Sequence, residues 1–280
     1  MLAVRSALGE IACHRTPWSG RRLQNMILSG LRAAGNTGHI ACVSEATRRD
    51  VLRVTKVLQD NVSQIYNGLN FPYAPLDSAQ ARARIEKFGI QPNRRFILHV
   101  GGNNWYKNRL GVLKIFSVLK SRREGSDLLL VMAGQRMTSK MRRFLRHSSS
   151  ALNVIELVNP SNEDLRALYS CADLLLFPSI QEGFGWPIIE AQACGCPVVT
   201  SDRAAMTEVG GTAATYINPD DIESAAATIA SRLRKRNGPC EASLKNAERF
   251  SASEMIDRYL ALHQNLLRVG NSNGHCYREN

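Results

Sequence analysis

Short apolar runs and longer stretches with apolar residues every three or four positions alternate along most of this chain. The runs fall at residues 96–100, 128–133, 153–157, 173–177, 198–201 and 214–217. Their length suits strands buried on both faces, and the spacing between them predicts helices, so strand and helix alternate with short connections. That alternation predicts an α/β architecture built on a doubly wound parallel sheet. Ahead of this block the pattern is sparser. Residues 1–20 show little periodicity, whereas Leu23, Met26, Ile27 and Leu31 share one face of a helix ending near Gly35. Residues 39–43 predict a strand, and Ser44 caps a helix with apolar positions Val51, Leu52, Val54 and Leu58. Residues 62–66 predict a second strand, which Asn67-Gly68 turns.

Residues 71–76, with Pro72 and Pro75, read as a linker, and a helix over 78–89 opens the larger block. After Asp220 the pattern is helical to about Val269, with Tyr259, Leu260, Leu262 and Leu266 on an amphipathic stretch, and the tail from Gly270 is expected to fray. No internal repeat or low-complexity segment interrupts this order. The division that follows is a small first unit over 1–70, a large one over 71–252, and a last helix with its tail over 253–280.

Charge and composition narrow the classes of function. The 280 residues carry 36 lysines and arginines against 24 acids, an excess of +12 that attracts phosphates, anionic headgroups or nucleic acid without choosing among them. The densest basic run, Arg136, Lys140, Arg142, Arg143 and Arg146, falls on a predicted helix after the 128–133 strand. No aromatic residues alternate with these charges as a base-stacking platform requires, so no nucleic-acid partner is expected. A solvated helix face is the first reading of this run and a patch for an anionic membrane surface the second. No apolar run reaches the ~20 residues of a spanning helix. Arg5 and Glu10 interrupt what would be the apolar core of a secretion signal, so a cytoplasmic protein is expected, with peripheral contact at the inner membrane face as the variant. Seven cysteines, without a Cys-x-x-Cys pair, predict neither a disulfide framework nor a zinc site, and Cys194 and Cys196 read as small buried residues.

The chemistry concentrates at residues 173–200. The apolar strand ends at Pro178-Ser179, Gly183 and Gly185 let the next loop bring its backbone close to a ligand, and Pro187 suits the first turn of a short helix that Gly195 and Pro197 stop. Ligands of such strand–loop–helix units sit at the carboxyl ends of the strands. Backbone N–H groups of Gly183, Phe184 and Gly185, with the positive end of the helix, suit a diphosphate. Glu190 can accept hydrogen bonds from a ribose diol and Glu182 from sugar hydroxyls. A solvated loop with two surface glutamates is the common alternative for such a pattern.

The segment Glu182-Gly-Phe-Gly-Trp-Pro-Ile-Ile-Glu190 resembles the donor-site motif of retaining glycosyltransferases of family 4, whose fold is the two-domain GT-B type. Its surroundings are similar too, with residues 165–179 before it and Gly195-Cys-Pro-Val-Val and Glu208-Val-Gly-Gly-Thr-Ala-Ala after it. The resemblance covers roughly residues 40–250. It implies one complete nucleotide-sugar-binding domain over 71–252, a last helix that crosses back to the first unit, and a partial acceptor-side domain over 1–70. The acceptor side reads as truncated.

A second phosphate site is suggested at Val100-Gly-Gly-Asn-Asn-Trp-Tyr-Lys-Asn108, where glycines end a strand and Lys107 can offer a point charge to the diphosphate. The Gly-x-Gly-x-x-Gly spacing of a dinucleotide oxidoreductase and the Walker pattern are both missing. Family members resemble this stretch in having Gly, then Arg, then Lys six positions after that Gly, and Lys107 stands six after Gly101. Gly102 occupies the arginine's place, with Arg109 or Arg136 as the replacement cation. The family reads the nucleotide base near 153–165, where a glycine is usual. Val158 stands there, Ser161 and Asp164 read as a capping box, and the base is not read.

The resemblance therefore implies transfer of a hexose, with retention and without metal or other cofactor, from a nucleotide diphosphate sugar to a hydroxyl of a polysaccharide or lipid-linked acceptor, in cell-envelope polysaccharide synthesis. Lys107 and the loop amides would stabilise the diphosphate, Glu182 would position the sugar and Glu190 the ribose, while Gly101, Gly102, Gly183, Phe184 and Gly185 act through their backbones. No Asp-x-Asp metal motif lies near these residues. A donor-binding fragment without transfer activity is the first alternative, and a GT-B epimerase or phosphorylase the second, although neither epimerase acid–base residues nor a phosphorylase cofactor-lysine motif can be assigned.

Overall fold

The structure is a computed structural model that describes residues 18–91, 93–233 and 239–272. The chain divides into two compact units, one of residues 71–249 and one of residues 1–70 with 250–280.

The larger unit is a six-stranded, all-parallel sheet of β3 (Phe96–Gly101), β4 (Leu129–Gly134), β5 (Val154–Val158), β6 (Leu174–Phe177), β7 (Val198–Ser201) and β8 (Ala214–Ile217). Their order is β5-β4-β3-β6-β7-β8, so the chain starts in the middle, builds to one side, then returns to build the other. The register pairs Ile97 with Leu130 on one flank of β3 and with Leu174 on the other. The connecting helices are α4 (Arg109–Lys120), α5 (Ser139–Arg146), α6 (Asn162–Cys171), α7 (Trp186–Ala193), α8 (Ala204–Gly210) and α9 (Ile222–Leu233), with α3 (Ser78–Glu86) before the sheet and α10 (Glu241–Ala247) after it.

Two buried faces explain the unbroken apolar runs. Ile97, Leu130, Met132, Leu174, Leu176 and Val199 pack on one face against Val112, Phe116 and Leu119 of α4 and Ala226 and Ile229 of α9. The alternate residues Phe96, Leu98, Val131, Leu175 and Phe177 are buried just as completely. Truncating Phe116 to alanine in such a core costs about 3–5 kcal/mol.

The smaller unit contains a two-stranded parallel sheet of β1 (Ile40–Cys42) and β2 (Val62–Gln64), with α1 (Trp18–Thr37) and α2 (Glu45–Thr55) before and between them. Its core is Ile40, Cys42, Val51, Val57 and Val62, with Leu31 and Leu52 packed on it. The last helix, α11 (Ala252–Ser272), joins this unit through the Gly68 N–H, which meets Met255 Sδ at 3.2 Å, and through Arg258, which donates to the Gln64 carbonyl at 2.8 Å. Along α11, Ile256, Tyr259, Leu260, Leu266 and Leu267 are exposed, as is Met26 on α1.

Several expected boundaries move. Helix α2 stops at Thr55 because Lys56 takes a left-handed conformation, φ 57°, and turns its N–H onto Leu52. Leu58 consequently lies beyond the helix and is 72% exposed instead of filling an apolar position. The expected helix over 78–89 ends at Glu86. The helical stretch after Asp220 is three separate helices, α9, α10 and α11, with the Cys240 N–H just before α10 bonded to the Gly195 carbonyl at 2.9 Å. Helix α11 continues past Gly270 to Ser272. The expectations for residues 1–17, for the Leu23 side chain and for the tail after 272 lie outside the described residues.

Candidate functional site

The strand order reverses between β3 and β6, because β4 and β7 lie on opposite sides of that pair. In a doubly wound sheet the loops leaving such a pair part from each other and open a crevice. Here those loops are 101–108 and 178–185, the two stretches the sequence singles out. They are tied together: the Ile180 N–H donates to the Tyr106 carbonyl at 2.7 Å, and Asn108 Nδ2 donates to the Pro178 carbonyl at 3.2 Å. A single 3-10 turn, Trp105–Lys107, closed by Asn108 in left-handed conformation at φ 51°, delivers Lys107 toward the second loop.

Lys107 and Glu182 meet there. Lys107 Nζ lies 2.7 Å from Glu182 Oε1, with the glutamate side chain 1% and the lysine 15% exposed. The ammonium also sits 5.0 Å from the centre of the Phe177 ring, which gives it a second, non-ionic contact. Eight residues on, Glu190 is buried within α7, and its Oε2 accepts a hydrogen bond from the Tyr169 hydroxyl at 2.8 Å. Burial raises the Glu190 pKa to about 7, against the opposing pulls of the Tyr169 bond and the Lys107 charge. Burial, reinforced by Glu190, holds the Tyr169 hydroxyl well above its ordinary range, so Tyr169 stays a donor.

The loop before α7 is buried along Glu182, Gly183, Phe184 and Gly185, which sets aside the solvated-loop reading. Gly185 has φ 109°, a conformation costly for any residue with a Cβ, and no side chain caps the helix it starts. Gly183 and Phe184 each have an interaction within the chain.

Around the first loop a side-chain network surrounds Gly102. A Cβ on Gly102 would stand 3.2 Å from Gln135 Oε1 and 3.4 Å from Asn104 Oδ1. Gln135 Oε1 instead accepts the Asn103 N–H at 2.7 Å. Arg109 is buried beneath, donating from one nitrogen to Asn103 Oδ1 at 2.6 Å and to the Gln135 carbonyl at 2.7 Å. Its Nε and Nη2 have no hydrogen-bond partner. Burial lowers its pKa, a sign of how little compensates this charge. Arg136, the other replacement considered, is exposed.

His99, one turn of strand below Gly101, was not foreseen. Its Nδ1–H donates to the Leu176 carbonyl at 2.9 Å, leaving Nε2 a bare acceptor 3.2 Å from where a Gly101 Cβ would stand. Burial drops its pKa to about 3, helped by the charges of Arg109 and Lys107, so the ring is neutral. The Nε2 of His99, two nitrogens of Arg109 and Ser179 Oγ are all buried without a hydrogen-bond partner. Such orphans are uncommon in finished interiors, and these belong to residues on or next to the strands and loops of this site.

The sequence thus names Lys107, Glu182 and Glu190, which the fold brings to one crevice, and it misses Tyr169, His99, Asn103 and Gln135. Tyr169 sits in the middle of α6, where its periodicity signals only core. Gln135 follows Gly134 at the carboxyl end of β4, a position whose topology alone could have raised it.

Comparison with known proteins identifies the family. The family model for the glycosyl transferases group 1 matches residues 80–250. The chain belongs to that family. It is 26% identical over 197 residues to the O-antigen chain mannosyltransferase B of Escherichia coli, covering 70% of this chain and 51% of that protein. It is 30% identical over 189 residues to the O-antigen chain mannosyltransferase RfbU of Salmonella typhimurium, covering 66% of this chain and 48% of that one. The chain therefore spans about half the length of these curated relatives. Among solved structures, a glycosyltransferase from Rickettsia africae superposes with a TM-score of 0.72 at 22% identity, over 90% of this chain and 68% of the other. The Anabaena protein HepE, solved in complex with UDP and glucose, superposes with a TM-score of 0.73 at 16% identity, over 85% of this chain and 68% of the other. With the six-stranded parallel sheet, these likenesses show an α/β fold of the GT-B type.

Proposed function

We propose that this chain carries the donor site of a retaining hexosyltransferase of family 4, which moves a hexose from a nucleotide diphosphate sugar to a hydroxyl of a growing cell-envelope saccharide. The observation that carries this reading is the Lys107–Glu182 pair at the strand-order reversal, with buried Glu190 beside it. The mannosyltransferase relatives favour mannose as the hexose. The UDP and glucose held by HepE favour a nucleoside diphosphate on the donor.

In this reading the diphosphate lies over Gly101 and Gly102, against the first turn of α7, with Lys107 as its cation. Arg109 adds positive potential from beneath, its hydrogen bonds going to neutral acceptors. Glu190 accepts from the ribose diol and Glu182 from sugar hydroxyls. The bond from the anomeric carbon to the diphosphate oxygen breaks with its electron pair leaving on that oxygen. The acceptor oxygen bonds to the same carbon from the same face, and its proton passes to the departing phosphate. Catalysis is then mainly stabilisation of charge on the diphosphate, by groups fixed before the substrate arrives. The cations present let the donor bind without a divalent metal. The site faces the cytoplasm, where nucleotide sugars are made.

The test is incubation of the protein with GDP-mannose and UDP-glucose, with a panel of saccharide acceptors, in the presence of chelator. Transfer with retained anomeric configuration supports the reading. Binding without transfer would reduce it to a donor-binding module, and binding only on adding magnesium or manganese would overturn the metal-free part.

A further inference from the structure

The donor site leaves the densest run of positive charge unused. Helix α5 has Met141 buried and Phe144 and Leu145 packed on the core, and it turns Lys140, Arg142, Arg143 and Arg146 outward. Arg136, just before the helix, is exposed as well. Among the described residues only Arg142 of these five has an ion-pair partner, Glu156 at 3.1 Å. Like charges three and four residues apart on a helix repel. This helix has Lys140 and Arg143, Arg142 and Arg146, and Arg143 and Arg146 at those spacings, with no acid in its first turn. Immediately beyond, on the 3-10 turn Ala151–Asn153, Leu152 is 97% exposed.

We propose that this face, from Arg136 to Leu152, docks on the surface of an anionic lipid bilayer, the cations meeting the phosphate headgroups and Leu152 entering the interfacial layer. A polybasic helix face is attracted by anionic lipid through every charge it presents. A leucine standing clear of the protein adds the apolar contact that a purely electrostatic partner would not use. Nucleic acid fits less well: Phe144 is the one Phe, Tyr or Trp between 136 and 152, and it packs on the core, so His147 alone is exposed for a base to stack on, short of a stacking platform. The face also starts at the donor site's rim, since Asn103 Nδ2 donates to the Arg136 carbonyl at 2.8 Å. Docking would therefore hold the 101–108 loop beside the headgroups. The inference stands without the donor-site reading.

The test is cosedimentation of the full chain with vesicles of phosphatidylcholine containing about one-third phosphatidylglycerol, and with phosphatidylcholine alone, at about 0.1 M salt. The chain should bind the anionic vesicles and not the neutral ones. K140E/R143E/R146E should lower that affinity by about a hundredfold or more, roughly fivefold for each charge removed. The control R49E/R53E/K114E, with the same change of net charge at other exposed positions, should lower it far less. L152D should weaken binding further at salt high enough to screen the charges. Thermal melts of each variant establish that it is folded. Equal loss in the two triple variants would show that net charge alone binds, and would overturn the proposal. So would displacement by inorganic phosphate at constant ionic strength, or tighter binding to single-stranded RNA than to vesicles that the first triple variant abolishes.

Discussion

Lys107 Nζ and Glu182 Oε1 stand 2.7 Å apart, joining the loop that leaves the first strand of the larger sheet to the loop that leaves its fourth. The contact is nearly shut off from water on the glutamate side. A buried carboxylate and a half-buried ammonium held at this distance make a pair that is already charged and already positioned.

Lys107→Met leaves the Glu182 carboxylate buried without its cation, so stability should fall by about 3 kcal/mol, the low end of the range for breaking a buried pair because the lysine keeps some solvent. K107M/E182Q should recover most of that stability and none of the nucleoside diphosphate affinity. Urea titrations and calorimetry of the two variants separate these effects. Recovery of both would show that the lysine does not serve the diphosphate.

Glu190 should write a pH dependence on folding. Its pKa is near 7 in the folded chain against an ordinary value of 4.5, because burial disfavours the charged form. Between those two values the folded protein keeps a proton that the unfolded chain has released, so this group's contribution to stability declines as pH rises from 4.5 to 7. Melting temperatures across that window should fall more steeply for the native protein than for Glu190→Gln. Tyr169→Phe removes a bond that favours the carboxylate and should move the window upward. Parallel curves for native and E190Q proteins would refute the assignment.

Two glycines near the site should respond oppositely. Gly134 has φ 124°, and a Cβ there would stand 2.3 Å from the Gly101 carbonyl, so Gly134→Ala should destabilise by about 3 kcal/mol or more and disturb the 101–108 loop. At Gly102 the obstacles are the ends of Gln135 and Asn104, which can move. Gly102→Arg should therefore fold within about 1 kcal/mol of the native protein and bind nucleoside diphosphates more tightly. Urea titration and calorimetry check both.

The parallel sheet was legible because strands buried on two faces leave runs such as residues 173–177 with almost no polar interruption, and because Gly195 and Pro197 stop a helix wherever they stand. Lys107, Glu182 and Glu190 were legible for a different reason: each sits at a fixed distance from glycines that end a strand or start a helix. Tyr169 was not, since nothing local distinguishes a tyrosine that donates to a carboxylate 21 positions away from one that fills a core. The exposure of Leu58 was missed because Lys56 breaks the helix by a backbone conformation that lysine rarely takes. The separation of the last three helices was missed because α9, α10 and α11 keep a helical apolar spacing on either side of their breaks.

The measurement that bears most directly on the donor site compares a nucleotide sugar with its bare nucleoside diphosphate, by calorimetry in chelator, for the native protein, Glu190→Ala and Glu182→Ala. Glu190→Ala should weaken both ligands by about 1–3 kcal/mol, the effect of losing a charged acceptor for the ribose. Glu182→Ala should weaken the nucleotide sugar alone, because the bare nucleotide brings no sugar hydroxyls to it. Equal losses for the two ligands in Glu182→Ala, or undiminished binding of both in Glu190→Ala, would contradict the roles given to these carboxylates.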